Sequence, residues 1–262
     1  MKTIIITGSS RGIGFGLAQS FLARGCRVVV SGSTAESTAQ AVQRLAQYPE
    51  TQLLGHPCAV TDLAQQQALW DAAQRHFGTI DVWINNAGVA HPYQPVWELD
   101  PMHYRHVMEV NLLGVLNGSR VAIQQFLKQG SGQLYNMEGF GSNGRVGKNI
   151  SVYGSSKAAV TFLTRSLIVE LQGTAVQVGT LSPGIVTTDL LSDQYRTDPE
   201  GFKSAKRIFN ILGDKPTTVT PWLAEQVLRN TRHGARIEWL TTPKVLWRFL
   251  SAPFSKRDLY AK

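Results

Sequence analysis

The first fourteen residues constrain this chain more than any other stretch. Ile4-Ile5-Ile6 is an unbroken apolar run of strand length, Thr7-Gly8-Ser9-Ser10-Arg11-Gly12-Ile13-Gly14 follows at once, and Phe15, Leu17, Ala18, Phe21 and Leu22 then recur at helical spacing. A strand with no polar face is buried on both sides, which calls for a parallel sheet covered by helices above and below. Glycines between strand and helix let the backbone approach a pyrophosphate, whose charge then rests on the helix N-terminus. The pattern predicts an α/β fold, a doubly wound parallel sheet of the Rossmann type in three layers. Gly8, Ser10, Arg11, Gly12, Ile13 and Gly14 are the expected dinucleotide cradle.

The remaining pattern continues the alternation and predicts about seven strands in one domain over residues 1–262. Apolar runs at 26–31, 52–56, 80–84, 133–137, 176–181 and 237–240 read as strands. Helices are expected over 35–47, from the Asp62 cap with its Gln65 partner to Gly78, from Pro101 through Asn111, from Tyr153 to about 171, and from Pro221 behind Thr220. Residues 189–215 read as a polar, partly helical insertion that would cover the substrate. Asn85-Asn86-Ala87-Gly88 closes the fourth strand at the edge where such sheets open their ligand crevice, although an Asx turn would use the same residues.

The end of the second strand bears on the cofactor. A carboxylate there would bind the adenosine 2′-hydroxyl of NAD, but Ser31-Gly32-Ser33-Thr34 offers hydroxyls only. Arg11 can reach the same corner and pair with a 2′-phosphate, so NADP(H) is expected in preference to NAD(H), with Ser33 beside it.

Tyr153 and Lys157 stand one helical turn apart on one face. A free phenol, with a pKa of about 10, is a poor proton carrier at neutral pH, and a nearby ammonium would lower that value. A Tyr-x-x-x-Lys spacing also fits a plain amphipathic helix with a solvated lysine, so the spacing takes its weight from the surrounding chain. The six histidines have no Cys or carboxylate at ligand spacing and no metal site is expected. Cys26 and Cys58 are too few for a disulfide framework and fit a reducing compartment. With the N-terminal run already a strand, no leader peptide is expected, and the location expected is cytoplasmic, with a peripheral membrane contact as the addition.

Taken together, Thr7-Gly8 with Gly12 and Gly14, Asn85-Asn86-Ala87-Gly88, Asn111, Tyr153 with Lys157, and Pro183-Gly184 resemble the short-chain dehydrogenase/reductases over nearly the whole chain. The resemblance implies a homo-oligomeric oxidoreductase acting on a small carbonyl or alcohol substrate. It implies that Tyr153 donates the proton, that Lys157 lowers the phenol pKa and holds the nicotinamide ribose, and that Asn111 anchors a relay water. It adds Asn86, Ala87, Gly88, Pro183, Gly184, Val186 and Thr188 to the cofactor site. The family's substrate-orienting serine, about thirteen residues before the tyrosine, is missing. Ser142, eleven before Tyr153, is the expected replacement donor. Asn136-Met137-Glu138-Gly139-Phe140-Gly141-Ser142, Phe209-Asn210-Ile211 and Leu240-Thr241-Thr242-Pro243-Lys244 are similar to the chlorophyll(ide) b reductases of plant plastids. In those a formyl group on a chlorin is reduced with NADPH, so an apolar substrate is expected here. A non-catalytic NADP-binding regulator is the alternative of a different class.

Charge is distributed unevenly. Residues 1–200 hold 14 Lys/Arg and 14 Asp/Glu, while residues 201–262 hold 12 and 4, so the formal excess of +8 lies in the last quarter. The segment 244–262 mixes five cations and one anion with Trp247, Phe249, Phe254 and Tyr260. Two arrangements are open: aromatics at the headgroup level of an anionic bilayer with Lys/Arg on the phosphates, or aromatics packed on the fold with solvated cations. No motif supports nucleic acid as a partner.

Overall fold

Seven short strands set the frame of the computed structural model, which describes residues 1–196, 198–255 and 257–260. They are β1 (Thr3–Ile6), β2 (Arg27–Val30), β3 (Leu53–Gly55), β4 (Val82–Asn85), β5 (Gly132–Met137), β6 (Val176–Ser182) and β7 (Arg236–Glu238). Their order is β3-β2-β1-β4-β5-β6-β7, with every neighbouring pair parallel. The connecting helices are α1 (Gly12–Leu22), α2 (Ala35–Gln43), α3 (Leu63–Phe77), α4 (Pro101–Met108), α5 (Gly114–Gln129), α6 (Ser151–Glu170), α7 (Asp189–Gln194), α8 (Pro199–Leu212), α9 (Pro216–Arg229) and α10 (Thr242–Ser251).

Strand periodicity divides the core in two. Ile4, Ile6, Val28, Val30, Val82 and Ile84 face the layer that holds Leu17 and Phe21 of α1 and Leu223 and Val227 of α9. Ile5, Val29, Trp83 and Leu134 face the layer of Leu69 and Trp70 of α3 and Phe126 of α5. This is the doubly wound sheet that the apolar strands require. The chain runs outward from β1 to β3 and then returns to β4 on the other side, so the carboxyl ends of β1 and β4 frame the crevice at the switch point.

Three expectations are corrected by packing. The helix through Asn111 is not continuous, because a π-turn over Glu109–Leu113 joins α4 to α5. The helix expected from Pro221 begins at Pro216, and Pro221 lies inside it. Burial extends α9 backwards: Val219 and Thr220 pack on α1, where a Cβ on Gly16 would come 2.8 Å from Thr220 Oγ1. The last strand ends at Glu238, since Trp239 turns its indole N–H to a carboxylate oxygen of Asp214 at 2.7 Å.

In the C-terminal segment the described cations and the aromatics Trp247, Phe249 and Phe254 turn opposite ways. Its cations turn inward: Arg248 and Arg257 both pair with the buried Asp214, and the Lys244 ammonium sits 3.0 Å from the centre of the Trp239 indole. Trp247, Phe249 and Phe254 are exposed. Lys256 and Lys262 lie outside the described residues.

Candidate active site

The glycine turn after β1 packs directly on the turn after β4. Gly8, at φ +61°, stands so close that a Cβ would fall 2.6 Å from Ala87 Cα, and one on Gly14 would fall 2.4 Å from Asn86 Nδ2. Asn86 donates its amide to the carbonyls of Thr7 and Gly8, each at 2.9 Å. Thr7 Oγ1 accepts from the N–H of Asn86 and Ala87 at 3.1 and 3.2 Å. Thr7 and Asn86 therefore fix the two turns to each other and hold the cradle open as a unit.

The N-terminus of α1 is left free for an anion. Helix α1 has no side-chain cap and no acidic residue in its first turn. Its first N–H groups and dipole face the cradle. The turn after β6 closes the other side: Thr188 Cγ2 lies 3.5 Å from where a Gly12 Cβ would sit. Pro183 and Val186 are buried beneath it, and Gly184 takes φ +72° against Leu240. These residues fit a dinucleotide: a backbone-lined cradle, an uncapped helix end and no carboxylate at the end of β2.

At the adenosine corner Ser33 is exposed and Ser10 is half-buried. Arg11 points to α7, with its guanidinium 3.5 Å from Asp189 and 3.8 Å from Asp193, all three well exposed. A second cation, Arg44, covers the Phe15 ring at 3.8 Å and donates to the Ser10 carbonyl at 3.5 Å. It lies 33 positions beyond Arg11 at the end of a polar helix, and no spacing in the sequence singled it out.

The proton-carrying groups meet at the end of β5. A Cβ on Gly139 would come 2.5 Å from Tyr153 Oη and 3.2 Å from Lys157 Cε, so a residue without a side chain here makes room for the phenol. Lys157 is buried and donates to the Met137 carbonyl at 3.3 Å. From the opposite side, the Cβ position of Gly88 is 3.6 Å from Lys157 Nζ and 3.4 Å from Asn111 Oδ1. Asn111, fully buried at the π-turn, accepts from the Val89 N–H at 2.8 Å and donates to the Val89 carbonyl at 2.9 Å and to Ser156 Oγ at 3.1 Å. It thus ties the loop after β4 to the turn of α6 that carries Tyr153 and Lys157.

Two details differ from the sequence reading. Ser142 Oγ accepts from the Gly139 N–H at 3.1 Å and donates to the Lys157 carbonyl at 3.3 Å, so its one proton ties the turn after β5 to the backbone of α6. The reason is local: Gly141, at φ +98°, folds the turn back onto α6. The expected lowering of the phenol pKa by Lys157 is also absent. Burial dominates and pushes Tyr153 up to about 12, while the ammonium is directed to the Met137 carbonyl. Burial likewise brings Lys157 down to about 8, against the opposing pull of Glu138.

Glu138 is buried one residue beyond that carbonyl and is gripped through both oxygens by Arg236 of β7, at 2.9 to 3.1 Å. Strand alternation puts Glu138, Thr180 and Arg236 on the α6 side of the sheet, opposite Met137, Leu181 and Ile237. The pairing joins residues 98 positions apart, which sequence spacing could not reveal. Over the crevice mouth, Tyr93 stacks on Tyr195 with ring centres 4.6 Å apart, and Tyr195 meets Phe202 and Phe209 at 5.8 and 5.9 Å.

A dinucleotide cradle at the switch point, with the half-buried Tyr153 and the buried Lys157 at its mouth, defines a dinucleotide-binding protein of the Rossmann class. Comparison with known proteins narrows the class: residues 2–199 match the family described as short chain dehydrogenase. The chain belongs to that family. It is 37% identical over 229 residues to the chloroplastic chlorophyll(ide) b reductase NOL of Arabidopsis thaliana, covering 86% of this chain and 64% of that protein. The chain thus spans less than two thirds of that relative. A closed serine dehydrogenase complexed with NADP+ superposes with a TM-score of 0.80 at 21% identity, over 92% of this chain and 95% of the other, and shows the fold alone. A 7α-hydroxysteroid dehydrogenase complexed with NADH and 7-oxo glycochenodeoxycholic acid gives 0.78 at 26% identity, over 91% and 92%.

Proposed function

We propose that this chain is an NADPH-dependent reductase that converts an aldehyde or ketone on a large apolar molecule to the alcohol. The observation that carries the reading is the convergence of Tyr153, Lys157, Gly139 and Gly88 at the mouth of the cradle. The bound cofactor supplies the hydride to the carbonyl carbon. Tyr153 gives its proton to the carbonyl oxygen; burial keeps the phenol protonated up to about 12, so the proton is in place throughout the neutral range. Lys157 keeps a positive charge at the mouth of the cradle below about pH 8, where its ammonium can hold the nicotinamide ribose. Asn111 positions both through Val89 and Ser156. With Ser142 engaged by its own turn, we assign orientation of the carbonyl to Tyr153.

The substrate class rests on the aromatic wall of Tyr93, Tyr195, Phe202 and Phe209 and on the name of the Arabidopsis relative. A formyl-bearing chlorin fits both. The test mixes the protein and NADPH with chlorophyllide b and with simple aromatic aldehydes and follows the product spectra. Reduction of the chlorin formyl group is expected; a preference of several orders of magnitude for the small aldehydes removes the pigment and leaves the reductase. No oxidation of NADPH with any carbonyl removes both.

NADPH in preference to NADH is supported by the hydroxyl-only end of β2, by Arg44 at that corner, and by Arg11 in the glycine turn, once it leaves α7. Leaving Asp189 and Asp193 costs Arg11 little, because exposed ion pairs are worth about 0–1 kcal/mol. A charge-assisted contact to the 2′-phosphate contributes more, so Arg11→Ala weakens NADPH binding by roughly 1.5 kcal/mol, about tenfold, and leaves NADH nearly unchanged. Equal losses for both cofactors in a fluorescence titration would make Arg11 structural.

Between pH 6 and 10 Lys157 is the member of the pair that changes charge. Its folded pKa lies below the ordinary 10.5, so its contribution to stability rises with pH from about 8 towards 10.5, while the charged form needed for turnover is lost over the same climb. The kcat/KM for NADPH, which reports the free enzyme, falls as pH rises through about 8. In Glu138→Gln the opposing pull is gone and this alkaline limb moves to lower pH. An unmoved limb would show that Glu138 does not act on Lys157.

A further inference from the structure

Helix α10 is amphipathic in the reverse of the usual sense. Arg248 turns inward, donating to the Leu212 carbonyl at 2.8 Å and to Asp214 at 3.1 Å, and the Lys244 ammonium lies on the Trp239 indole. On the outer side Leu246, Trp247 and Leu250 stand at helical spacing with exposures of 60, 69 and 72%, and Phe254 in the following turn reaches 89%. Phe249 is exposed at its flank, and Pro243 and Pro253 lie at either end. This stripe carries no charge, and a globular chain does not usually show water a contiguous face of this kind unless something covers it.

The surroundings indicate what covers it. Helix α8 packs against α10 and presents Lys203 and Arg207 to solvent, with Ile208 beside them, and Lys215 follows at its end. None of these three cations is in an ion pair among the described residues. A second copy seated about a twofold axis would bring this basic rim towards its own image, since both partners of such an interface use one patch. An anionic lipid surface instead takes the apolar stripe into its acyl boundary and the rim onto its phosphates. No described helix is long and apolar enough to cross a membrane, so the contact is with one face.

We propose that the outer face of α10, with Phe254 in the following turn and the exposed cations of the neighbouring α8, is a docking surface for an anionic lipid bilayer. The surface joins the crevice through two parts of the fold. Asp214, which holds α10, also bridges to Val186 of the cofactor turn, and α8 carries Phe202 and Phe209 of the aromatic wall. A protein seated this way holds the mouth of its crevice near the lipid, where an apolar carbonyl compound partitions. This last step rests on the proposed reductase function, but the docking surface does not.

Vesicle co-sedimentation of the whole protein tests it, with phosphatidylglycerol–phosphatidylcholine vesicles against phosphatidylcholine alone. Binding to the anionic vesicles is expected, weakened by high salt as the rim is screened. The paired change Trp247→Ser with Leu250→Ser, at exposed positions that leave the core intact, is expected to lower the partition coefficient at least tenfold. Lys203→Glu with Arg207→Glu is expected to lower it by more than about fivefold per site on anionic vesicles and to have little effect on neutral ones. Unchanged binding in both variants overturns the proposal. So does a result in which the stripe variant alters only the oligomeric state by light scattering, which assigns the face to a second copy. Turnover is not read in this experiment, so a chain that binds vesicles but reduces no carbonyl separates failure of the reductase reading from failure of the surface.

Discussion

Replacing Tyr153 by Phe is expected to lower turnover of any accepted carbonyl by about 10²- to 10⁴-fold and to leave NADPH binding within about twofold of the unmodified protein. The ring fills the same space between Gly139 and Lys157, so what is lost is the phenolic proton, and the packing stays. The kinetic loss should fall on kcat with KM for NADPH little changed, because the hydroxyl matters in the transition state more than in the bound ground state. A stopped-flow trace of NADPH oxidation with a saturating aldehyde, paired with a fluorescence titration, reads both quantities. A variant that turns over as fast as the parent would remove Tyr153 from the chemistry.

The second large effect is on stability, at Asp214. This carboxylate is buried, accepts from the Trp239 indole at 2.7 Å and pairs with Arg248 at 2.8 Å and with Arg257, while its backbone bonds to Ile185 and Thr187. Breaking a fully buried pair costs about 3–5 kcal/mol because the surviving charge is left without a partner. Arg257 is about a third exposed, so for Asp214→Asn we expect somewhat less than that, about 2–4 kcal/mol, and a melting midpoint lower by roughly 5–10 °C. Loosening α10 also loosens the turn from Val186 to Thr188, so NADPH affinity should fall in the same variant. Thermal unfolding followed by circular dichroism and the same fluorescence titration check the two effects. A variant that melts within 1 °C of the parent would show that the three partners do not depend on the charge.

The two predictions divide along the line between what the chain order shows and what only folding brings together. Tyr153 and Lys157 were legible because a helix relates residues four apart by its own geometry. The apolar run Ile4–Ile6 dictated a sheet covered on both faces for a similarly local reason, and the glycines at 8, 12 and 14 marked the cradle because backbone has to approach backbone there. The sequence by itself thus determined the sheet, its crevice and the tyrosine–lysine pair. It did not determine the charges that act on them. Glu138 meets Arg236 across an intervening strand, and Asp214 gathers Trp239, Arg248 and Arg257 from three later turns of the chain. Such contacts carry no periodicity, so no local pattern announces them. The same holds for the direction of the phenol pKa, where the enclosure of Tyr153 outweighs the cation one turn away. It holds too for α10, whose composition could not say which face would turn inward, because the decision lay with a buried carboxylate 34 residues earlier.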